Sequence, residues 1–190
     1  MDDIPWEPPL AGTETEHVAG ALDRLRWTFR WKVDGLDRDG LAFRLPSSAL
    51  SLGGLLKHLA RVEDEKFSWV LFGERPQPRP QPPEGVDAEE WEFTVTPDDT
   101  AEDLYRLWDE AVERSRAQLA RVFAEGGLDR PAHASFGESH PSMRRFVMDL
   151  IEEYGRHTGH ADLIREALDG RVGEDPPRTW YPGQGPSAAG

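Results

Sequence analysis

Cysteine is absent from this 190-residue chain. Its absence excludes disulfides, zinc ribbons and a protein thiol nucleophile, so any thiol chemistry needs a thiol that a substrate supplies. Long apolar runs are also absent, since no stretch approaches the roughly 20 apolar residues that span a bilayer. The acidic N-terminal segment has no apolar core of the kind that a secretory signal carries. We therefore expect a soluble cytoplasmic protein with no membrane partner.

Positive charge is scarce, because 22 lysine and arginine residues face 36 acidic residues and the formal net charge is −14. A surface of this sign repels phosphate backbones, so nucleic acid is not expected as a partner. The length suits one domain whose core can form without disulfides. A small-molecule substrate is the expected partner.

Apolar residues recur at spacings of three and four along much of the chain, which is the pattern of amphipathic helices. Helices are predicted at about residues 13–33, 51–72, 96–124 and 142–170. No segment shows a convincing strand pattern. The predicted fold class is therefore all-α, with the four segments packed as a four-helix bundle.

The predicted helix ends carry residues that favour starting and stopping a helix. Ser51 and Thr96 are predicted N-caps, because a hydroxyl there accepts a hydrogen bond from a free backbone N–H group. Gly73 and Gly170 are predicted to end the second and fourth helices, since glycine adopts the left-handed conformation that follows many helices.

Proline alternates with other residues through residues 75–83, which predicts an extended, polyproline-like connection. A connection of this length suits a crossover loop between the second and third helices of the bundle. The predicted organisation is an N-terminal arm at residues 1–12, the bundle at 13–170, and a proline- and glycine-rich tail at 171–190.

Trp27 and Trp31 lie one turn apart on the first helix, away from its apolar stripe. Two interpretations of this pair stay open. The rings pack beneath the loop that follows the helix, or they form the surface of a homodimer, since paired exposed aromatics are uncommon on monomers.

The fourth helix carries polar residues inside its apolar face. Glu153, His157 and His160 are spaced by four and three residues, so they share one side of the helix with Phe146 and Leu150. Unpaired polar groups in a core are costly. A bound metal ion is the simplest group that compensates them.

A third ligand has to come from another helix, and His58 on the second helix is the candidate. Two nitrogens from His58 and His157 and one oxygen from Glu153 suit zinc first, and also nickel, iron or manganese. Three protein ligands leave a position open for water or substrate, which is typical of a catalytic site. His160 is either a fourth ligand or a hydrogen-bonding support, and His140 is placed near a pocket mouth.

Simpler interpretations also fit these residues. Glu153 and His157 at this spacing form an ordinary ion pair on many helices. A single buried histidine such as His58 is more often satisfied by a carbonyl group than by a metal. The shared stripe with Phe146 and Leu150 counts against the first of these interpretations.

Two segments resemble the DinB/YfiT-like superfamily of metal-dependent enzymes. LLKHLARVE at residues 55–63 is similar to its helix-two motif, and EYGRHTGH at residues 153–160 is similar to its helix-four motif. The acid at Glu153 resembles the His, Glu, His set of mycothiol-dependent maleylpyruvate isomerase within that superfamily. His160 departs from the pattern, because many members have glutamine there.

The resemblance implies a four-helix bundle with a divalent metal and an activity that uses a low-molecular-weight thiol such as mycothiol. The function expected from it is a thiol S-transferase or isomerase, with His160 and His140 as catalytic residues that orient the thiol or move a proton. Two alternatives stay open: a metal-dependent hydrolase, and a non-catalytic dimeric bundle that binds a small ligand.

Overall fold

The computed structural model describes residues 6–75 and 82–183, and within these ranges the protein contains α-helices and no strand. A π-helical segment at Glu65–Val70 continues α3. Among the described helices, none combines the length and the apolar character that a bilayer crossing requires. The predicted all-α class is confirmed. The helices are α1 Glu14–Val33, α2 Arg38–Ala42, α3 Leu52–Asp64, α4 Ala88–Glu92, α5 Ala101–Ala124 and α6 Met143–Asp169.

Most predicted helix ends are confirmed by their capping contacts. The Ser51 side chain accepts a hydrogen bond from the N–H group of Gly54 at the start of α3. Gly73, at φ +74°, follows the π-helical segment, and Gly170, at φ +79°, ends α6. Only glycine takes such angles without strain, so the sequence marks these ends clearly.

The predicted start of the third long helix is wrong by about one turn. Thr100 caps α5 by accepting a hydrogen bond from the N–H group of Asp103. Thr96 instead donates its N–H and hydroxyl groups to the Asp99 carboxylate, at 2.7 and 3.0 Å. The Thr96 segment is therefore a separate turn that leads into the helix.

Two short helices were not predicted. Asp37 caps α2 and Asp87 caps α4, each by accepting a backbone N–H group three residues later. Both lie in segments that the sequence indicates only as connections. Most of the proline-rich connection, residues 76–81, lies outside the described residues, so the crossover loop stays a prediction.

The long helices pack in pairs, α3 with α5 and α1 with α6, and α3 also contacts α6. This is the pairing that a bundle requires, although the four-helix bundle itself stays a prediction. Each large apolar side chain that is fully buried contributes about 1.5–3 kcal/mol. Side chains that are fully buried between these helices include Leu22, Phe29, Leu55, Leu59, Val147 and Leu150.

A buried polar network joins one residue from each long helix. Arg26 of α1 donates two hydrogen bonds to the Glu63 carboxylate of α3, both at 2.7 Å. The Tyr154 hydroxyl of α6 donates to Glu63 at 2.8 Å and accepts from Trp108 of α5 at 3.0 Å. All of these groups are buried and paired, so the network links the four long helices inside the core.

Trp27 and Trp31 lie beneath the C-terminal tail and not beneath the loop after α1. The Trp27 ring meets Trp180 and Tyr181 edge-on, with centroids 5.8 and 5.7 Å away. Arg171 donates to the Trp31 carbonyl at 2.9 Å, and Trp31 is only 8 % exposed. The pair is covered, but by the C-terminal tail and not by the loop of the first interpretation, and a homodimer stays a prediction that needs another surface.

Candidate metal centre

The contact between α3 and α6 brings His58, Glu153 and His157 together. His58 Nε2 lies 3.7 Å from Glu153 Oε2, and His157 Nε2 lies 3.3 Å from the same oxygen. One ligand atom from each residue falls within 4.8 Å of the other two. The juxtaposition predicted from helical spacing is therefore present.

Burial differs across the cluster. His58 and His157 are 9 % and 7 % exposed, whereas the Glu153 side chain is 37 % exposed. The imidazoles therefore form the floor of the cluster, and Glu153 stands on the side that faces solvent.

One atom of the cluster is buried without a partner. Among the described residues, His58 Nε2 has no hydrogen-bond partner although it is out of contact with solvent. Its other nitrogen, Nδ1, lies 2.5 Å from Glu92 Oε1. An ionised carboxylate only accepts hydrogen bonds, so Nδ1 is the donor, and in the neutral imidazole the free lone pair is then on Nε2. A bare nitrogen in this position needs a partner.

The donor set fits a divalent ion. Two ligand atoms that are each about 2.1 Å from a tetrahedral zinc ion are about 3.4 Å apart. The separations of 3.3 and 3.7 Å at Glu153 Oε2 are close to this value. Two imidazoles and one carboxylate also suit nickel, iron or manganese.

The protonation of His157 is favourable for ligation. Burial, and then the neighbouring His58, lowers the pKa of His157 to about 4. The imidazole is therefore neutral near neutral pH, which is the form that binds a metal.

The pKa of Glu92 is also shifted. Burial alone raises it, but His58 and Arg61 outweigh this effect and hold the pKa of Glu92 below its ordinary value.

The structure places the two predicted catalytic histidines differently. His160 Nδ1 lies 3.3 Å from His157 Nδ1, on the side of that ring away from Glu153. His160 therefore supports His157 and is not among the three ligand residues.

His140 is not brought to the cluster. Its Nδ1 atom lies 3.0 Å from the carbonyl oxygen of Ala132, in the loop before α6. Because an α-helix rises about 1.5 Å per residue, His157 lies about 21 Å along the axis from Met143, where α6 begins. His140 is close to that end of the helix in the chain and far from the ligands in space.

Sequence reasoning does not predict Glu92, which contacts His58 of the cluster. It lies on α4, is 8 % exposed and reaches His58 across 34 positions of the chain. The local signal is the pair Asp87 and Glu90, an N-cap residue followed three positions later by glutamate, which favours a helix start. That signal predicts α4 but not its contact with α3.

Comparisons with known proteins bear on the fold and on the family of the chain. The chain is similar to the solved structure of a conserved protein from Enterococcus faecalis, with a TM-score of 0.64 and 17 % sequence identity. The match covers 85 % of this chain and 100 % of that chain, and this likeness shows the fold. No curated protein matches the chain. A family model described as mycothiol-S-transferase matches residues 17–170. The chain therefore belongs to the mycothiol-S-transferase family.

Proposed function

We propose that this protein is a metal-dependent S-transferase that uses mycothiol, with His58, Glu153 and His157 as the ligands of one divalent ion. Zinc is the first choice, and nickel, iron or manganese also suit the ligands. The observation that carries the proposal is the buried His58 Nε2 atom, which has no partner among the described residues and faces a second imidazole and a carboxylate.

The residues of the site have separate tasks. His58 and His157 offer imidazole nitrogens from the buried side, and Glu153 offers an oxygen at the solvent side. A divalent ion bound there lowers the pKa of a thiol that it contacts. His160 holds the His157 ring through its outer nitrogen.

The sulfur in the reaction has to come from mycothiol, because the chain has no cysteine. In the proposed reaction the thiol gives its proton to solvent water, and its sulfur forms a bond to an electrophilic carbon of the second substrate. The leaving group departs from that carbon with the bonding electron pair. The half-exposed Glu153 marks the side from which both substrates approach.

Metal analysis of protein purified without a histidine tag tests the site. We expect about one divalent ion per chain in the native protein and a large loss in the variant His58→Ala. His133→Ala is the matched control, since His133 is exposed and contacts Trp69 instead of the cluster. Equal metal content in all three proteins, or none in the native protein, contradicts the proposal.

A thiol-dependence assay tests the reaction. The metal-loaded protein is given an electrophile with and without mycothiol, and the expected result is consumption only when the thiol is present. Full turnover without thiol identifies a hydrolase, the main alternative for the same donor set. Replacing mycothiol with its oxidised disulfide is the control, because that form has no free thiol to transfer.

Two further expectations belong to this proposal. The protein acts in the cytoplasm, where low-molecular-weight thiols stay reduced. It forms a homodimer, although the C-terminal tail covers the tryptophan pair first considered for that contact. Sedimentation of the full chain measures its mass, and a monomer at high concentration contradicts the dimer.

A further inference from the structure

The segment that follows the proline-rich connection lies directly over His58. Glu92 accepts a hydrogen bond from His58 Nδ1, and the Phe93 ring stacks on the imidazole with a centroid distance of 4.7 Å and an interplanar angle of 28°. The edge and one face of the His58 ring are therefore both held by consecutive residues. We call residues 91–95 the clamp segment.

Two glycines of α3 let the clamp segment approach the helix backbone. A Cβ atom on Gly54 would lie 2.3 Å from the Phe93 carbonyl oxygen, and one on Gly53 would lie 2.4 Å from Val95 Cγ2. Glycine is unfavourable inside a helix, so two consecutive buried glycines indicate a close contact that excludes side chains. These glycines stand one turn before His58.

Lys57 fixes the same segment from its other side. The Lys57 Nζ atom donates to the Thr94 carbonyl oxygen at 3.0 Å and lies 3.9 Å from the centroid of the Trp91 ring. The segment is therefore anchored at Trp91 and Thr94, on both sides of the two residues that touch His58. Such anchoring limits the positions that Glu92 and Phe93 can take.

We propose that Glu92 and Phe93 are positioning residues for His58. Glu92 keeps the proton on Nδ1 and Phe93 fixes the plane of the ring, so that the Nε2 lone pair points toward Glu153 and His157. The inference rests on the proposed function, because it assigns the clamp segment a role in metal affinity. Carboxylates that hold a ligand histidine in this way change metal affinity by roughly 10–100-fold.

Two substitutions of Glu92 separate positioning from a structural role. Glu92→Leu removes the acceptor, whereas Glu92→Gln keeps an oxygen that accepts from Nδ1. Both variants lose the ion pair with Arg61, whose Nε atom lies 2.5 Å from Glu92 Oε2. If Glu92 serves only this ion pair, both variants are expected to lose metal affinity equally. If Glu92 positions His58, Glu92→Leu is expected to lose more affinity than Glu92→Gln.

The first measurement is the dissociation constant for Co²⁺ or Zn²⁺ of each folded variant. We expect Glu92→Leu to bind roughly 10–100-fold more weakly than the native protein and Glu92→Gln to stay within a few-fold of it. The visible absorption of bound Co²⁺ changes with ligand geometry and is recorded at saturation. Equal affinity and an equal spectrum for native protein and Glu92→Leu overturn the proposal, as does equal weakening in both Glu92 variants.

A glycine pair tests the docking of the clamp segment. Gly54→Ala pushes against the Phe93 carbonyl oxygen and is expected to weaken metal binding. Gly155→Ala is the matched control, because it adds the same methyl group next to the ligands on α6, where nothing lies within 4 Å. Equal affinity in these two variants contradicts the proposed docking, and the Glu92 pair decides if Gly54→Ala does not fold.

The second measurement uses metal-free protein, so that it stands apart from the proposed function. Nitrogen-15 spectra of the imidazoles show which nitrogen of His58 carries the proton. We expect Nδ1–H in the native protein and in Glu92→Gln, and a shift toward Nε2–H in Glu92→Leu. A native protein that binds no metal refutes the proposed function, whereas Nε2–H in the native protein refutes the positioning role.

Discussion

Tyr154→Phe removes the hydroxyl that connects α5 and α6 to the buried carboxylate of α3. In the native protein this hydroxyl donates to Glu63 at 2.8 Å and accepts from Trp108 at 3.0 Å. Burial raises the pKa of Tyr154 well above its ordinary value, so the hydroxyl keeps its proton. The substitution leaves the Trp108 N–H group buried without a partner and takes one donor from Glu63.

The expected loss follows from these two contacts. A hydrogen bond to a charged group contributes about 1.5–3 kcal/mol, and a buried donor left without a partner costs about 1–3 kcal/mol. The two terms overlap, and Glu63 keeps both hydrogen bonds from Arg26. We therefore expect the free energy of unfolding to fall by about 3 kcal/mol while the fold is kept.

Urea unfolding followed by far-ultraviolet circular dichroism measures this loss. Tyr105→Phe is the matched control, because the Tyr105 hydroxyl bonds only to the backbone of Val33 and Leu36, with no charged partner, and is only partly buried. The control is expected to lose about 1 kcal/mol. A loss below about 1 kcal/mol for Tyr154→Phe, or one no larger than the control, refutes the role of the network.

Other predictions concern the tail and the dependence on pH. Trp180→Ala is expected to lower the free energy of unfolding by about 3 kcal/mol, because a large buried side chain is lost. Its tryptophan fluorescence is expected to shift to longer wavelength, because Trp27 becomes exposed. No change in either measurement contradicts the packing of the tail. The pKa of His157 in the folded protein is about 4, below its ordinary value of 6.5. At a pH between these two values, the unfolded chain therefore binds more protons than the folded protein. The free energy of unfolding of the metal-free protein is therefore expected to fall as the pH drops from about 7 toward about 5, and to fall less steeply in His157→Asn. Thermal unfolding over this pH range measures both proteins, and an equal dependence on pH in the two contradicts the prediction.

The three residues of the proposed metal site could be predicted because each lies on a regular helix. Four-residue spacing puts Glu153 and His157 on one face whatever the rest of the fold does, and Leu55 and Leu59 flank His58 on a face that has to be buried. The same logic gave the all-α class. Helical periodicity is local, so it is visible in a single sequence.

Contacts between distant segments were not predictable in this way. Glu92 becomes a partner of His58 only because Gly53 and Gly54 admit the clamp segment. Similarly, Arg26 and Glu63 look like surface charges in the sequence, yet they pair in the core across 37 positions. Such contacts depend on the tertiary packing and not on local pattern.

The errors have the same origin. The sequence leaves open what covers Trp27 and Trp31, because no local signal shows that the C-terminal tail returns to them. Thr96 is a residue type that favours the N-cap position, but its hydrogen bonds to Asp99 place it in a separate turn before the helix. In both cases the structure depends on which of several possible partners a residue contacts, and not on the preference of that residue alone.

Anomalous X-ray diffraction from crystals of tag-free protein tests the central claim most directly. We expect one strong peak between α3 and α6, with His58 Nε2, a Glu153 oxygen and His157 Nε2 each about 2.0–2.2 Å from it, and an absorption edge that identifies the element. A fully loaded sample with its peak elsewhere on the molecule, or with no peak between these three residues, contradicts it.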